Sequence, residues 1–100
     1  MSQEIERDVL SYLQKNKQDF YAQYGIYRVG LFGSFARKEQ TATSDIDIVI
    51  EIVAEKKNLH NFLAFKRRLE QELNRKVDLG IESTLKPAVK DEISKDVIYV

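Results

Sequence analysis

One hundred residues, 43% of them hydrophobic, suffice for a modest core, so residues 1–100 read as one folded domain and not as a disordered chain. Sixteen basic and sixteen acidic side chains leave no net field to hold a long nucleic acid, which argues against a polymerase. With no cysteine, a charged N-terminus lacking an apolar signal core and no apolar run long enough to span a bilayer, the expected setting is the cytoplasm, away from membranes.

In chain order, Ile5, Val9, Tyr12, Leu13 and Phe20 form an apolar stripe that predicts one helix from about Ser2 to Tyr24, ended by Gly25. A strand is expected from Ile26 to Phe32. Gly33-Ser34 then reads as a turn into a short helix, Phe35 to Glu39, with Ser34 as its cap. Ser44 to Glu51 reads as a second strand. The charged run Glu55-Lys56-Lys57 is most simply a solvated loop. Leu59, Phe62, Leu63, Lys66, Leu69 and Leu73 mark a second long helix ending near Asn74. Lys76 to Ile81 reads as a third strand. Pro87 suits the first turn of a last helix carrying Val89 and Ile93, and Val97 to Val100 suits a short edge strand or a docking tail. The alternation predicts an α/β (α+β) fold, a small mixed β-sheet packed with helices.

The chemistry concentrates in three places. On the second strand Asp45, Asp47, Val49 and Glu51 share one face, and Ile46, Ile48, Ile50 and Ile52 share the other, a core face. Aspartate is disfavoured within strands, so two at alternate positions cost stability unless something uses them. Carboxylates about 6.5–7 Å apart can converge on one divalent ion or bridge two. Oxygen donors without Cys or clustered His suit Mg²⁺ or Mn²⁺ better than Zn²⁺. A turn cap at Asp45 and a solvated Asp47 are the bland alternatives. Asp78 is a third acid set against an apolar run. If its strand lies beside the second, three carboxylates gather and their repulsion calls for a cation; otherwise it is an exposed edge residue. Gly33 allows close backbone approach to a ligand, the Ser34 hydroxyl can bind a phosphate oxygen, and Arg37 lies about one turn on, within reach of a triphosphate. Gly-Ser alone is a common turn; the ordered set is what points to phosphate and metal. There is no P-loop pattern.

Gly33-Ser34, ten intervening residues, Asp45-Ile46-Asp47 and the later Asp78 resemble the signature of the DNA polymerase β-type nucleotidyltransferase superfamily, in its minimal nucleotidyltransferase branch. Gly33-Ser34-Phe35-Ala36-Arg37 and the tail from Leu85-Lys86-Pro87 to Val97-Ile98-Tyr99-Val100 are similar as well, so the resemblance covers nearly the whole chain. Lys38 departs from it, because the group often has glycine there. The resemblance implies a nucleotidyltransferase-like fold and metal ligands at Asp45, Asp47 and Asp78. It places the nucleotide contacts at Gly33 and Ser34. It further implies that the chain is the antitoxin of a two-gene module, transferring AMP from ATP to a tyrosine of a HEPN-family toxin in a hetero-oligomer.

Two other functions fit the residues less well. One is a non-catalytic antitoxin that occludes its partner. The other is a small-molecule nucleotidyltransferase, against which the short chain counts, since an acceptor site usually needs extra helices. His60 suits a surface role. Tyr12, Tyr21, Tyr24 and Tyr27 suit either core packing or a partner surface.

Overall fold

The computed structural model describes the backbone of residues 2–100 and the side chains of residues 8–100. Ile5, expected in the first apolar stripe, therefore has its side chain outside the described residues.

The expected first helix is two. Helix α1 spans Ser2–Lys15 and α2 spans Lys17–Tyr24, with Asn16 between them at φ −101° and ψ 5°. The Asn16 side-chain amide donates to the Tyr12 carbonyl at 2.9 Å, a local bond that competes with the helical ladder. Gly25, at φ +70°, ends α2 in the left-handed conformation. Strand β1, Ile26–Phe32, leads through the one-turn helix α3, Gly33–Ala36, to strand β2, Ile46–Ile52. Helix α4, Leu59–Leu73, starts on the Asn58 side chain, which accepts from the Asn61 amide, and stops at Asn74 in the left-handed region. Strand β3, Val77–Ile81, helix α5, Pro87–Ser94, and strand β4, Ile98–Tyr99, complete the chain.

The sheet order is β3-β2-β1-β4. β1 is antiparallel to both β2 and β4, and β2 is parallel to β3. The fold is thus α/β with a small mixed sheet, as the alternation predicts, and the C-terminal residues form the edge strand. Ile46, Ile48, Ile50 and Ile52 are at most 1% exposed and pack with Val9, Leu13, Phe20, Phe65 and Leu69. Each such burial is worth roughly 1.5–3 kcal/mol. α1, α2 and α4 therefore cover one face of the sheet. Tyr12 and Tyr24 belong to this packing, whereas Tyr21 and Tyr27 stay exposed.

The second face of β2 carries Asp47, Val49 and Glu51. It is not simply a solvated face: Val49 is fully buried and Glu51 is 8% exposed. Glu51 accepts from the Ser83 amide (2.9 Å) and hydroxyl (3.1 Å) and pairs with Lys57 at 2.6 Å. These bonds hold its carboxyl below the usual range against the opposing effect of burial. Glu55, Lys56 and Lys57 are exposed, as expected, but Lys57 is in addition the ion-pair partner of Glu51. α5 leans over the same face through Ile93, leaving a cavity open beside it.

Candidate active site

β1 delivers the chain to Gly33 and β2 returns it past Asp47, because Phe32 and Asp47 are partners in the antiparallel register. Gly33 has φ +72°, a conformation that L side chains rarely adopt. A Cβ there would stand 2.0 Å from Asp47 Oδ2, so the Asp47 carboxylate lies directly over the glycine backbone. The helix that follows is shorter than expected and starts two residues earlier. Ser34 is inside its only turn and is not its cap; Phe32 precedes it and Arg37 ends it. One turn aligns few peptide dipoles, so any anion held here relies on individual N–H groups more than on a macrodipole.

Lys38 follows at φ +61°. This is the position at which the sequence departs from the pattern it otherwise resembles. Lys38→Gly should relieve left-handed strain and raise stability by about 0.5–1 kcal/mol after the entropy cost of glycine. A thermal melt checks this: an unchanged or lower midpoint would show the strain to be absent.

Asp45 lies one residue before β2 and is exposed. The loop reaching it is tied down from the other side of the sheet. The Arg75 guanidinium donates to the carbonyls of Thr41 and Ser44, each at 3.0 Å, and rests over the Phe35 ring at 5.2 Å. The Ile46 amide donates to the Lys76 carbonyl at 2.9 Å. Asp78 is exposed on β3 and is the direct register partner of Asp47. Adjacent strands run about 4.8 Å apart, so the third acid does lie beside the pair.

Burial first, then Asp78 and Asp45, push the Asp47 carboxyl up from 3.8 to about 6; Arg37 opposes the shift. The three acids thus feel one another. They do not form a closed coordination sphere, for among the described residues no group of three His, Cys, Asp or Glu side chains stands ready to hold an ion. The reason is visible at Asp47, whose carboxylate is folded against Gly33. An all-oxygen, mutually repelling donor set fits a hard divalent cation, which would reward a small rotation of these side chains.

Arg37 is exposed and bonds Glu39 at 2.8 Å and Asp96 at 3.1 Å. These bonds hold its charge firmly. Of the six candidate residues, Gly33, Arg37 and Asp78 line a cavity of about 570 Å³ between the sheet and α5. Arg75 and Asp96 position the site from far along the chain. Neither lies in a recognisable motif, so periodicity had no means of singling them out. His60 is exposed on α4, away from this arrangement.

A strained glycine turn packed on one acid, with a second acid two residues earlier and a third in register on the next strand, is the frame of a nucleotidyl-transferring enzyme. Comparison with known proteins agrees. The chain belongs to the nucleotidyltransferase domain family, whose profile matches residues 10–100. It is 31% identical over 93 residues to the protein adenylyltransferase MntA of Thermococcus cleftensis, covering 93% of each chain. Its fold superposes on a solved structure assigned to a minimal nucleotidyltransferase with a TM-score of 0.76, at 27% identity, covering 91% of this chain and 92% of that one. A more distant fold match, TM-score 0.61 at 19% identity, is the complex of a tri-AMPylated Shewanella oneidensis HEPN toxin with an MNT antitoxin; it covers 99% of this chain and 71% of that one.

Proposed function

We propose that this nucleotidyltransferase moves AMP from ATP to a tyrosine hydroxyl of a HEPN-family toxin in the cytoplasm, and so acts as its antitoxin. The observation that carries this reading is the Asp47–Asp78 register beside the positive-φ Gly33. It places an anion-tolerant turn and a set of carboxylates side by side. The adenylyltransferase name of the Thermococcus relative supports the transferred group, and the HEPN complex supports the partner.

In this reading Gly33 and Ser34 receive phosphate oxygens, with Arg37 adding a positive charge at the mouth of the cavity. Asp45, Asp47 and Asp78 would hold Mg²⁺, or Mn²⁺. The bound cation would neutralise phosphate charge and lower the pKa of the acceptor hydroxyl. The tyrosine oxygen attacks the α-phosphorus and the bond from that phosphorus to the bridging oxygen breaks. Pyrophosphate leaves, and the phenolic proton passes to Asp78, the one of the three acids that lines the cavity. Asp47, folded against Gly33, would have to turn its carboxylate slightly to join the other two acids on the cation.

Asp78→Asn separates this enzyme from an occluding antitoxin. The side chain keeps its shape and loses its charge, so the fold should persist and ATP binding should survive better than in Asp45 or Asp47 variants, while transfer falls about 10²–10⁴-fold. Mass spectrometry of the neighbouring-gene protein, incubated with ATP and Mg²⁺, reads the added AMP. Protection of cells by Asp78→Asn without added nucleotide would reject the enzymatic reading and favour occlusion.

A further inference from the structure

Among the described residues Glu51 is the charged side chain that the core encloses, 8% exposed, and the transfer chemistry gives it no part. It shares the second face of β2 with Asp47 and Val49. The ladder between β2 and β3 ends at Ile50 and Ile81. One residue further the Glu51 carboxylate takes over, accepting the Ser83 amide and hydroxyl and, at 3.3 Å, the Ile52 amide. Lys57 closes a ring, since its ammonium meets Glu51 at 2.6 Å and donates to the Ser83 hydroxyl at 3.1 Å.

Ser83 lies in the short turn Glu82–Thr84, which joins β3, the strand of Asp78, to Leu85 and α5. The other side of the turn is pinned as well: Arg28 donates to Glu82 at 3.1 Å, and the Tyr99 hydroxyl donates to the same carboxylate. Leu85 follows directly. Its Cδ2 stands 3.6 Å from the position a Cβ on Gly80 would take, and with Val89 and Ile93 it walls the cavity that Gly33, Arg37 and Asp78 also line.

A buried ion pair is a poor source of stability, because an apolar side chain of like volume often holds a fold as well. What a carboxylate with fixed donors adds is position. We infer that Glu51 is a positioning residue for the nucleotide site: through Ser83 it fixes the turn from which Leu85 and α5 hang, and so sets the width of the cavity beside Asp78. The inference rests on the transfer reading above for the reaction it tunes. Asp47 and Asp78 are held by the ladder between β2 and β3, so loosening the turn should spare the acids and move the wall.

Glu51→Met tests this, since it keeps much of the volume and removes every acceptor. Hydrogen exchange at the amides of residues 85–94 should speed up about tenfold while the amides of β1 and β2 keep their protection. In transfer to the neighbouring-gene protein, KM for ATP should rise about three- to tenfold, as loss of one hydrogen bond or two implies, with kcat changed less than about threefold. Calorimetry with a non-hydrolysable ATP analogue and Mg²⁺ should follow KM. Glu51→Gln still accepts the Ser83 amide and should recover most of the loss. In a Ser83→Ala background Glu51→Met should do less than in the wild type, because the two residues act through one contact.

Uniform loss of protection across sheet and helices would show that Glu51 only stabilises the fold, and would overturn the inference. So would unchanged exchange at residues 85–94, or a fall in kcat at constant KM. If Glu51→Met does not fold, Ser83→Ala decides by the same measurements: faster exchange confined to residues 85–94 with weaker analogue binding supports the inference, and its absence rejects it. Local loosening and weaker analogue binding, with no AMP transfer even by the wild type, leaves the positioning role standing and rejects the transfer reading instead.

Discussion

Asp47→Asn is expected to remove nucleotidyl transfer almost completely while making the metal-free protein more stable. The two effects have one origin. Asp47 is half-buried on β2, folded over Gly33, and flanked by Asp45 and Asp78. As a charge it is unfavourable there; in the proposed function it is a metal ligand that transfer requires. Loss of a ligand worth several kcal/mol of transition-state stabilisation should lower transfer about 10³-fold. The stability effect depends on pH in a defined direction. The folded-state value of about 6 lies above the ordinary 3.8, so between these values the folded protein binds more protons than the unfolded one. Stability in chelator should therefore fall as pH rises through this window, and the full penalty should be present above about pH 7. Asp47→Asn lacks the titrating group, so its stability should be flatter across the window and higher than wild type at pH 7.5. Denaturant titrations at pH 4.5 and 7.5 in EDTA, together with a transfer assay in Mg²⁺, read both effects. Transfer at the wild-type rate would remove Asp47 from the metal set.

Gly33→Ala should be nearly as damaging, for a steric reason. The backbone sits at φ +72°, which costs an L residue about 1–2 kcal/mol. The new methyl carbon would also lie 2.0 Å from Asp47 Oδ2 and 2.9 Å from its carboxyl carbon, so the carboxylate must leave its place. The expected result is loss of both stability and transfer. A double variant with Asp47→Ala relieves the clash and should regain part of the stability, while transfer stays lost. Additive stability losses in the double variant would show that the two residues do not press on each other.

Much of this was legible in the residues. Alternation marked both faces of β2, Gly25 and Asn74 ended their helices, and the ordered acids and glycine turn marked the candidate site. What escaped was partly local side-chain competition and partly long-range. Asn16 breaks the first helix through a bond of its own side chain that an apolar stripe does not register. Ser34 was expected to cap a longer helix, but Gly33 takes up the turn one residue earlier. The pairing of exposed Lys57 with Glu51 escaped because Glu51 is on a strand whose second face is covered by segments from the end of the chain. That Asp78 lies beside Asp47 was conditional on strand order, which no local pattern specifies. The Arg75 clamp on the Asp45 loop and the Asp96 contact with Arg37 exist only once the sheet and α5 are in place.

The parallel pairing of β2 with β3 has a consequence during synthesis. Parallel neighbours need a crossover, here the whole passage through α4 from Ile52 to Val77. A ribosome-bound chain that ends before Ile81 carries Gly33, Asp45 and Asp47 but has no strand to set Asp78 beside them. In the proposed function, nucleotide handling would therefore wait until β3 has emerged, and products of translation interrupted before it should be silent at this site.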